Sequence, residues 1–215
     1  VIVGLDFAPP GILLWRSLLQ WLGGIGFIVM AVSILPMLQV GGMQLFRMEF
    51  AERVEKALPR AAQIGAWILI IYLVLTMVCA GLYWWAGMSG FDALNHAMTT
   101  VATGGFSTYD SSMGLFGSAK LEWIATVFMI LGSLPFLLYL QAIRGAPLVL
   151  YRDSQIRWFF GFLLSATAIM ILYLVAEQDW TLSDAIRFAT FNVTSVMTGT
   201  GYATQDFGNW GAFAL

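Results

Sequence analysis

Four long apolar runs set the limits on what this chain can fold into. They lie at Ile12–Met37, Ala62–Trp85, Leu121–Leu140 and Trp158–Ala176. A run of roughly 20 apolar residues matches the hydrocarbon core of a bilayer, where every backbone group must be satisfied internally, as in a helix. Only 10% of the residues are charged, whereas a soluble domain has about 25%. The sequence therefore predicts an all-α integral membrane protein.

Two shorter segments follow the second and the fourth runs, and each leads into a loop rich in Thr and Gly. Phe91–Ala102 precedes the loop Ala102–Thr108, and Ser183–Met197 precedes the loop Thr198–Thr204. A 12-residue helix reaches ~18 Å, about half of a ~30 Å core. Non-helical backbone is tolerated at that depth only where it is buried in protein or lines a water-filled path. The pattern predicts pore half-helices followed by pore loops.

The loops supply the residues expected to bind a cation. Backbone carbonyls held by Thr and Gly can replace the hydration shell of an ion. Turn glycines that only permit a positive φ are the plainer interpretation, and it is compatible with a filter. The aromatic residues Phe106 and Tyr202 are expected to pack behind the filter, and His96 to be a packed polar residue rather than a metal ligand. The candidate filter residues for K⁺ are Thr103, Gly104, Gly105, Gly199, Thr200 and Gly201.

The two loops belong to an internal repeat. The Gly-aromatic-small-Thr pattern at Gly105–Thr108 returns at Gly201–Thr204, offset by 96 positions, and Asp92-Ala-Leu returns as Asp184-Ala-Ile, offset by 92. The second half-helix is therefore expected to be one turn longer. We expect one complete repeat flanked by two partial ones, cut from a longer polypeptide. The expected units are the end of a first repeat (1–61), a complete second repeat (62–157) and the start of a third (158–215).

Charge predicts the orientation of the chain, because basic loops stay in the cytoplasm. Seven basic residues lie in Gly41–Arg60 and Gln141–Arg157, against only Arg16, Lys120 and Arg187 on the other side. The outer side would carry most of the acids, which either concentrate cations at an outer vestibule or are ordinary loop charges. Arg16 and Arg187 are expected to snorkel or to form ion pairs, Arg187 with Asp184, rather than to guard the outer mouth. Pro36 and Pro135 are expected to end or kink their helices. The outer acids are Asp6, Asp92, Asp110, Glu122, Glu177, Asp179, Asp184 and Asp206.

Four motifs stand out along the chain: Trp15–Gly26, Leu35–Leu38 with Gly41–Leu45, Thr100–Thr108 and Thr198–Thr204. They resemble motifs of the Trk/Ktr/HKT potassium transporter superfamily, and within it those of the bacterial TrkH-type potassium-uptake membrane subunits. The similarity covers essentially the whole chain.

The resemblance implies four non-identical helix–pore-loop–helix repeats in one polypeptide, with Gly105 and Gly201 at the filter-glycine positions of the second and third. It also implies potassium uptake across a bacterial inner membrane by a homodimer, with a nucleotide-binding regulatory subunit on the cytoplasmic face. Membrane lipid is an expected partner and nucleic acid is not.

Three functions stay open on the residues alone. The first is a potassium-selective conduction pathway, and the second is a Na⁺- or H⁺-coupled symporter with broken helices. Coupled carriers usually need an ionisable group within a span, and none lies in the middle of the four runs. The third is a non-conducting scaffold, which would not need two matched loops. A membrane enzyme is disfavoured because the sequence has no His/Cys/Glu metal set and no Gly-x-Ser-x-Gly motif.

Overall fold

The chain is described from a computed structural model, which covers residues 3–34, 47–205 and 210, and of 27–34 and 47–62 only the backbone. In the described part of the chain, short 3₁₀ helices occur at Leu5–Phe7 and Ser112–Phe116. The sequence motifs Leu35–Leu38 and Gly41–Leu45, with Pro36, and also Asp206 lie outside the described residues. The α-helices are α1 (Pro10–Ile34), α2 (Arg47–Trp85), α3 (Gly90–Val101), α4 (Ala119–Ser133), α5 (Phe136–Ile143), α6 (Val149–Arg152), α7 (Ser154–Glu177) and α8 (Leu182–Met197).

The longest apolar helices match the predicted spans. Gln63–Trp85 of α2 and Ser154–Glu177, the whole of α7, are each long and apolar enough to cross a membrane. The first predicted span coincides with α1, although its predicted end at Met37 lies beyond the described part. The long helices therefore form where continuous apolar sequence can satisfy its backbone without water.

The third predicted span is not one straight helix. Leu121–Leu140 is divided between α4 and α5, whose axes differ by 89°. The break falls where Leu134 is extended, with a ψ of 150°, and Pro135 caps the next helix. Proline disfavours the helical conformation of the residue before it and cannot donate to a preceding turn. The expected kink at Pro135 is therefore confirmed, and the two helices together are apolar enough to form a broken span.

Both half-helices are confirmed, and they are α3 and α8. They contain 12 and 16 residues, so the second is one turn longer, as expected. They start in the same way: the Ser89 hydroxyl accepts from the amide of Asp92 and donates to its carboxylate, and Thr181 does the same with Asp184. Such reciprocal capping satisfies amide groups that a helix start leaves unpaired. The 92-residue offset therefore marks equivalent starts.

The main apolar core surrounds α3, which packs between α1, α2 and α4. Its members come largely from α2, α3 and α4, with Phe191 and Tyr202 added from the α8 region. The helix α8 packs against α4 and α7. This arrangement places the ends of both half-helices, and the two loops that follow them, near each other inside the protein.

Candidate functional site

The two Thr/Gly loops leave their half-helices with the same backbone geometry. The φ angles are 49° at Thr103 and 62° at Gly105 in the first loop, and 72° at Gly199 and 81° at Gly201 in the second. Positions 103 and 199, and 105 and 201, are each 96 residues apart. A left-handed residue costs little at glycine and more at Thr103. Both loops therefore reverse direction at equivalent residues.

The hydrogen bonds of the two loops also correspond. The amide of Gly105 donates to the carbonyl of Thr99 at 3.2 Å, and the amide of Gly201 donates to the carbonyl of Ser195 at 3.2 Å. The Thr99 hydroxyl donates to the Phe106 carbonyl at 2.7 Å, and the Ser195 hydroxyl donates to the Tyr202 carbonyl at 2.7 Å. Thr99 and Ser195 are also 96 positions apart, so the sequence repeat could have identified them as an equivalent pair.

The two loops touch at Gly105. A Cβ atom on this residue would overlap the carbonyl oxygen of Thr200 and would lie 3.2 Å from the carbonyl carbon of Gly201. Only a glycine permits this approach of backbone to backbone. The structure thus brings together Gly105, Thr200 and Gly201 from loops that are far apart in sequence.

The remaining predicted filter residues lie around this contact. Thr103 lines a cavity, and Gly104 packs so tightly against Gln20 of α1 that a Cβ there would overlap the Gln20 side chain. Gly199 is exposed. The Thr200 side chain is buried, and its hydroxyl lies 2.7 Å from that of Thr198. The contribution of Gln20 was not visible in the sequence, because nothing in its spacing marks a partner.

The cavity has a volume of about 750 Å³ and lies where the two half-helices end. Val101 and Met197, the last residues of α3 and α8, both line it, and its other walls include Gly24, Tyr72 and Phe136. None of its described lining residues carries a charge. The carbonyl end of a helix carries a partial negative charge. Two such ends at one uncharged cavity create an environment that favours a cation.

The first loop is fixed at its far end by the buried carboxylate of Asp92. Thr108 donates to it at 2.8 Å and Tyr109 at 3.2 Å, and Ser89 donates at 2.7 Å. The second loop is held differently: the side-chain amide of Asn192 donates to the Thr204 hydroxyl at 2.9 Å and accepts from the Thr204 amide at 3.3 Å. The offset in sequence did not predict these unlike anchors.

His96 is a packed polar residue, as expected. Its side chain is fully buried, with Nδ1 at 2.9 Å from the Asp92 carbonyl and Nε2 at 3.0 Å from the Ser107 hydroxyl. Phe116 lies edge-on to the ring. Among the described residues, no group of three or more His, Cys, Asp or Glu side chains can hold a metal ion.

The aromatic residues of the loops differ in placement. Tyr202 is 1% exposed and packs behind the loops, as expected, whereas Phe106 is 37% exposed. The Arg16 guanidinium lies 5.0 Å from the centre of the Phe106 ring, a cation–π distance. Arg16 is thus adjacent to the first loop. The expected pairing of Arg187 with Asp184 is wrong, because Arg187 binds Glu122 of α4.

Comparison with known proteins gives one consistent result. The family model described as "TrkH: Cation transport protein" matches residues 1–215. The Trk system potassium uptake protein TrkI of Halomonas elongata is 42% identical over 100% of this chain and 44% of its own length. The TrkH protein of Vibrio parahaemolyticus is 40% identical over 99% of this chain and 45% of its own length.

A solved structure agrees with these relatives. The crystal structure of the potassium transporter TrkH from Vibrio parahaemolyticus superimposes with a TM-score of 0.86 and 38% identity, over 100% of this chain and 44% of that one. The chain therefore spans less than half the length of the relatives it matches. It belongs to the TrkH family of cation transport proteins.

Proposed function

We propose that this chain forms part of a potassium-uptake pathway whose selectivity filter is built from backbone carbonyls of the two Thr/Gly loops. The observation that carries the proposal is the contact of Gly105 with Thr200, in two loops that follow half-helices whose ends line one cavity. Equivalent hydrogen bonds hold both loops in the same conformation. Preorganised carbonyl groups of this kind replace the water shell of a cation without charged side chains.

The proposed filter positions are the six loop residues from Thr103 to Gly105 and from Gly199 to Gly201. Their carbonyl groups would face one axis, with the two loops at neighbouring positions around it, each contributed by its own repeat. The proposed repeat units are 1–61, 62–157 and 158–215. The matching caps and the matching 3.2 Å amide bonds support this division.

The proposed setting is the bacterial inner membrane, where the chain is part of a multi-pass protein surrounded by lipid. Family membership and the two apolar helices support it. The related Trk system proteins are named for potassium uptake, and K⁺ is the proposed transported ion. Further proposed partners are a second copy of the whole protein and a cytoplasmic nucleotide-binding subunit docked on segments 41–60 and 141–157. These two partners rest on family membership alone.

An ion-flux assay on the full-length protein in proteoliposomes tests the proposal. We expect uptake of K⁺ and Rb⁺ to exceed that of Na⁺, and to proceed with no imposed Na⁺ or H⁺ gradient. Uptake that requires either gradient would contradict a conduction pathway and would favour a coupled symporter. Equal uptake of all three ions would remove the selectivity filter.

A further inference from the structure

The side chain of Tyr202 extends from the second loop and packs against the first half-helix, α3. Its hydroxyl oxygen lies 2.7 Å from Oγ1 of Thr99, 3.1 Å from the carbonyl oxygen of His96 and 3.2 Å from Oγ1 of Thr100. All four residues are buried. The hydroxyl is therefore the polar end of an otherwise apolar connection from one repeat to the next.

The distances around Thr99 indicate which atoms donate. Its hydroxyl has one proton, and the Phe106 carbonyl at 2.7 Å can only accept it. The carbonyl groups of Asn95 and His96 lie farther from the hydroxyl, at 3.2 Å and 3.3 Å. We therefore assign the Thr99 proton to Phe106. The Tyr202 hydroxyl is nearer to Thr99, at 2.7 Å, than to the His96 carbonyl, at 3.1 Å, so we assign its proton to Thr99. The result is a chain of two hydrogen bonds from the Tyr202 hydroxyl, through the Thr99 hydroxyl, to a backbone carbonyl of the first loop.

The arrangement is not reciprocal between the two loops. Ser195 donates to the Tyr202 carbonyl just as Thr99 donates to the Phe106 carbonyl. Position 106, which corresponds to 202, holds a phenylalanine without a hydroxyl. Its ring lies beside Arg16 rather than inside a half-helix. Of these two aromatic residues, only Tyr202 can link its loop to the neighbouring repeat by a hydrogen bond.

We propose that the Tyr202–Thr99 hydrogen bond is a specificity-determining link, which fixes the spacing of the two loops and the direction of the Phe106 carbonyl. This inference rests on the proposed filter function. The loops meet at Gly105 and Thr200, so a small shift of either one changes the distance between their carbonyl groups. Tyr202 and Thr99 act as positioning residues, since their side chains lie behind the loops.

The test compares K⁺ and Na⁺ uptake by the full-length protein in proteoliposomes. Tyr202→Phe removes the donor, and Thr99→Val removes the hydroxyl that passes the bond on. We expect each to lower the K⁺/Na⁺ uptake ratio by about three- to tenfold, the effect of one lost hydrogen bond. The double variant should lose no more than the single ones, because both break the same chain.

Two conservative variants act as controls. Thr99→Ser keeps the hydroxyl and should keep the ratio. Tyr83→Phe removes a hydroxyl that lies 2.9 Å from Thr100 in the same buried cluster, but Tyr83 belongs to α2 rather than to a loop. It should leave the ratio unchanged. If Tyr202→Phe does not assemble in the membrane, the contrast between Thr99→Ser and Thr99→Val decides the question by itself.

A Gly105→Ser variant separates failure of this link from failure of the filter. A changed ratio in Gly105→Ser with an unchanged one in Tyr202→Phe and Thr99→Val would overturn the link and leave the filter standing. An equal loss in Tyr83→Phe would also overturn the link, because the effect would then belong to general packing. An unchanged ratio in all variants, Gly105→Ser included, would overturn both.

Discussion

Arg187 of α8 binds Glu122 of α4 through two parallel hydrogen bonds, Nε to Oε2 at 2.6 Å and Nη2 to Oε1 at 2.7 Å. The Glu122 side chain is 4% exposed and that of Arg187 is 24% exposed. The pair joins the first turn of α4 to the second half-helix. It therefore ties the helix that follows the first loop to the helix that precedes the second.

Removal of either partner of this pair should destabilise the protein, and by unequal amounts. Breaking a buried ion pair costs roughly 3–5 kcal/mol, and we expect the lower end here because Arg187 is partly exposed. Arg187→Gln leaves the more buried charge of Glu122 without its partner and should lower the melting temperature more than Glu122→Gln. The measurement is thermal unfolding of the full-length protein in detergent, with Asp184→Asn as the control. A larger effect of Asp184→Asn would contradict the observed pairing.

Gly105→Ser should reduce discrimination between K⁺ and Na⁺ before it reduces the amount of protein in the membrane. The residue has a φ of 62°, and a side chain would overlap the Thr200 carbonyl oxygen. The second loop would have to move. Gly117→Ser is the matched control: it has a φ of 52°, no atom within 4 Å of a new Cβ, and a position outside both loops. The measurement is the relative uptake of K⁺ and Na⁺ by the two variants. Equal effects would mean that the Gly105→Ser result comes from backbone strain alone.

Gly132→Ala should destabilise the protein although alanine favours a helix by up to about 1 kcal/mol over glycine. A Cβ on Gly132 would lie 2.6 Å from the carbonyl oxygen of Val101, at the end of the first half-helix and on the wall of the cavity. Such overpacking costs about 1–3 kcal/mol. Gly161→Ala in α7 meets no atom within 4 Å and should be neutral or stabilising. Thermal unfolding and K⁺ uptake measured on both variants test this contrast.

The two segments rich in basic residues, Gly41–Arg60 and Gln141–Arg157, should be cytoplasmic. Cysteines introduced at Arg53 and Arg152, in a Cys79→Ala background, should resist an impermeant thiol reagent added outside intact cells. Glu177 is exposed and ends α7, the span that begins just after Arg152, so Glu177→Cys should react and serves as the positive control. Rapid labelling at Arg53→Cys and Arg152→Cys with protection at Glu177→Cys would invert the orientation.

The features that depend on neighbouring residues could be predicted from the sequence. The half-helices, their unequal lengths and the turn glycines follow from hydropathy, spacing and the conformational freedom of glycine. The bend between α4 and α5 could be predicted only in part. Pro135 marks the position of the break, but hydropathy does not give the angle between two helices, so the 89° bend could not be predicted. The partner of Arg187 was missed because pairs visible in sequence are three or four residues apart, whereas Glu122 is 65 residues away.

Asp92 and Asp184, the partners of the capping residues Ser89 and Thr181, lie in the first turns of the two half-helices. Each places a carboxylate at the positive start of a half-helix, where it offsets the partial charge of the unpaired amide groups. The opposite ends, at Val101 and Met197, have no described charged side chain among the cavity-lining residues. Each half-helix thus directs its partial negative charge toward the cavity and has an acidic side chain at its opposite end. In the proposed filter, such partial charges would attract a cation less tightly than a carboxylate does, which suits an ion that must also leave.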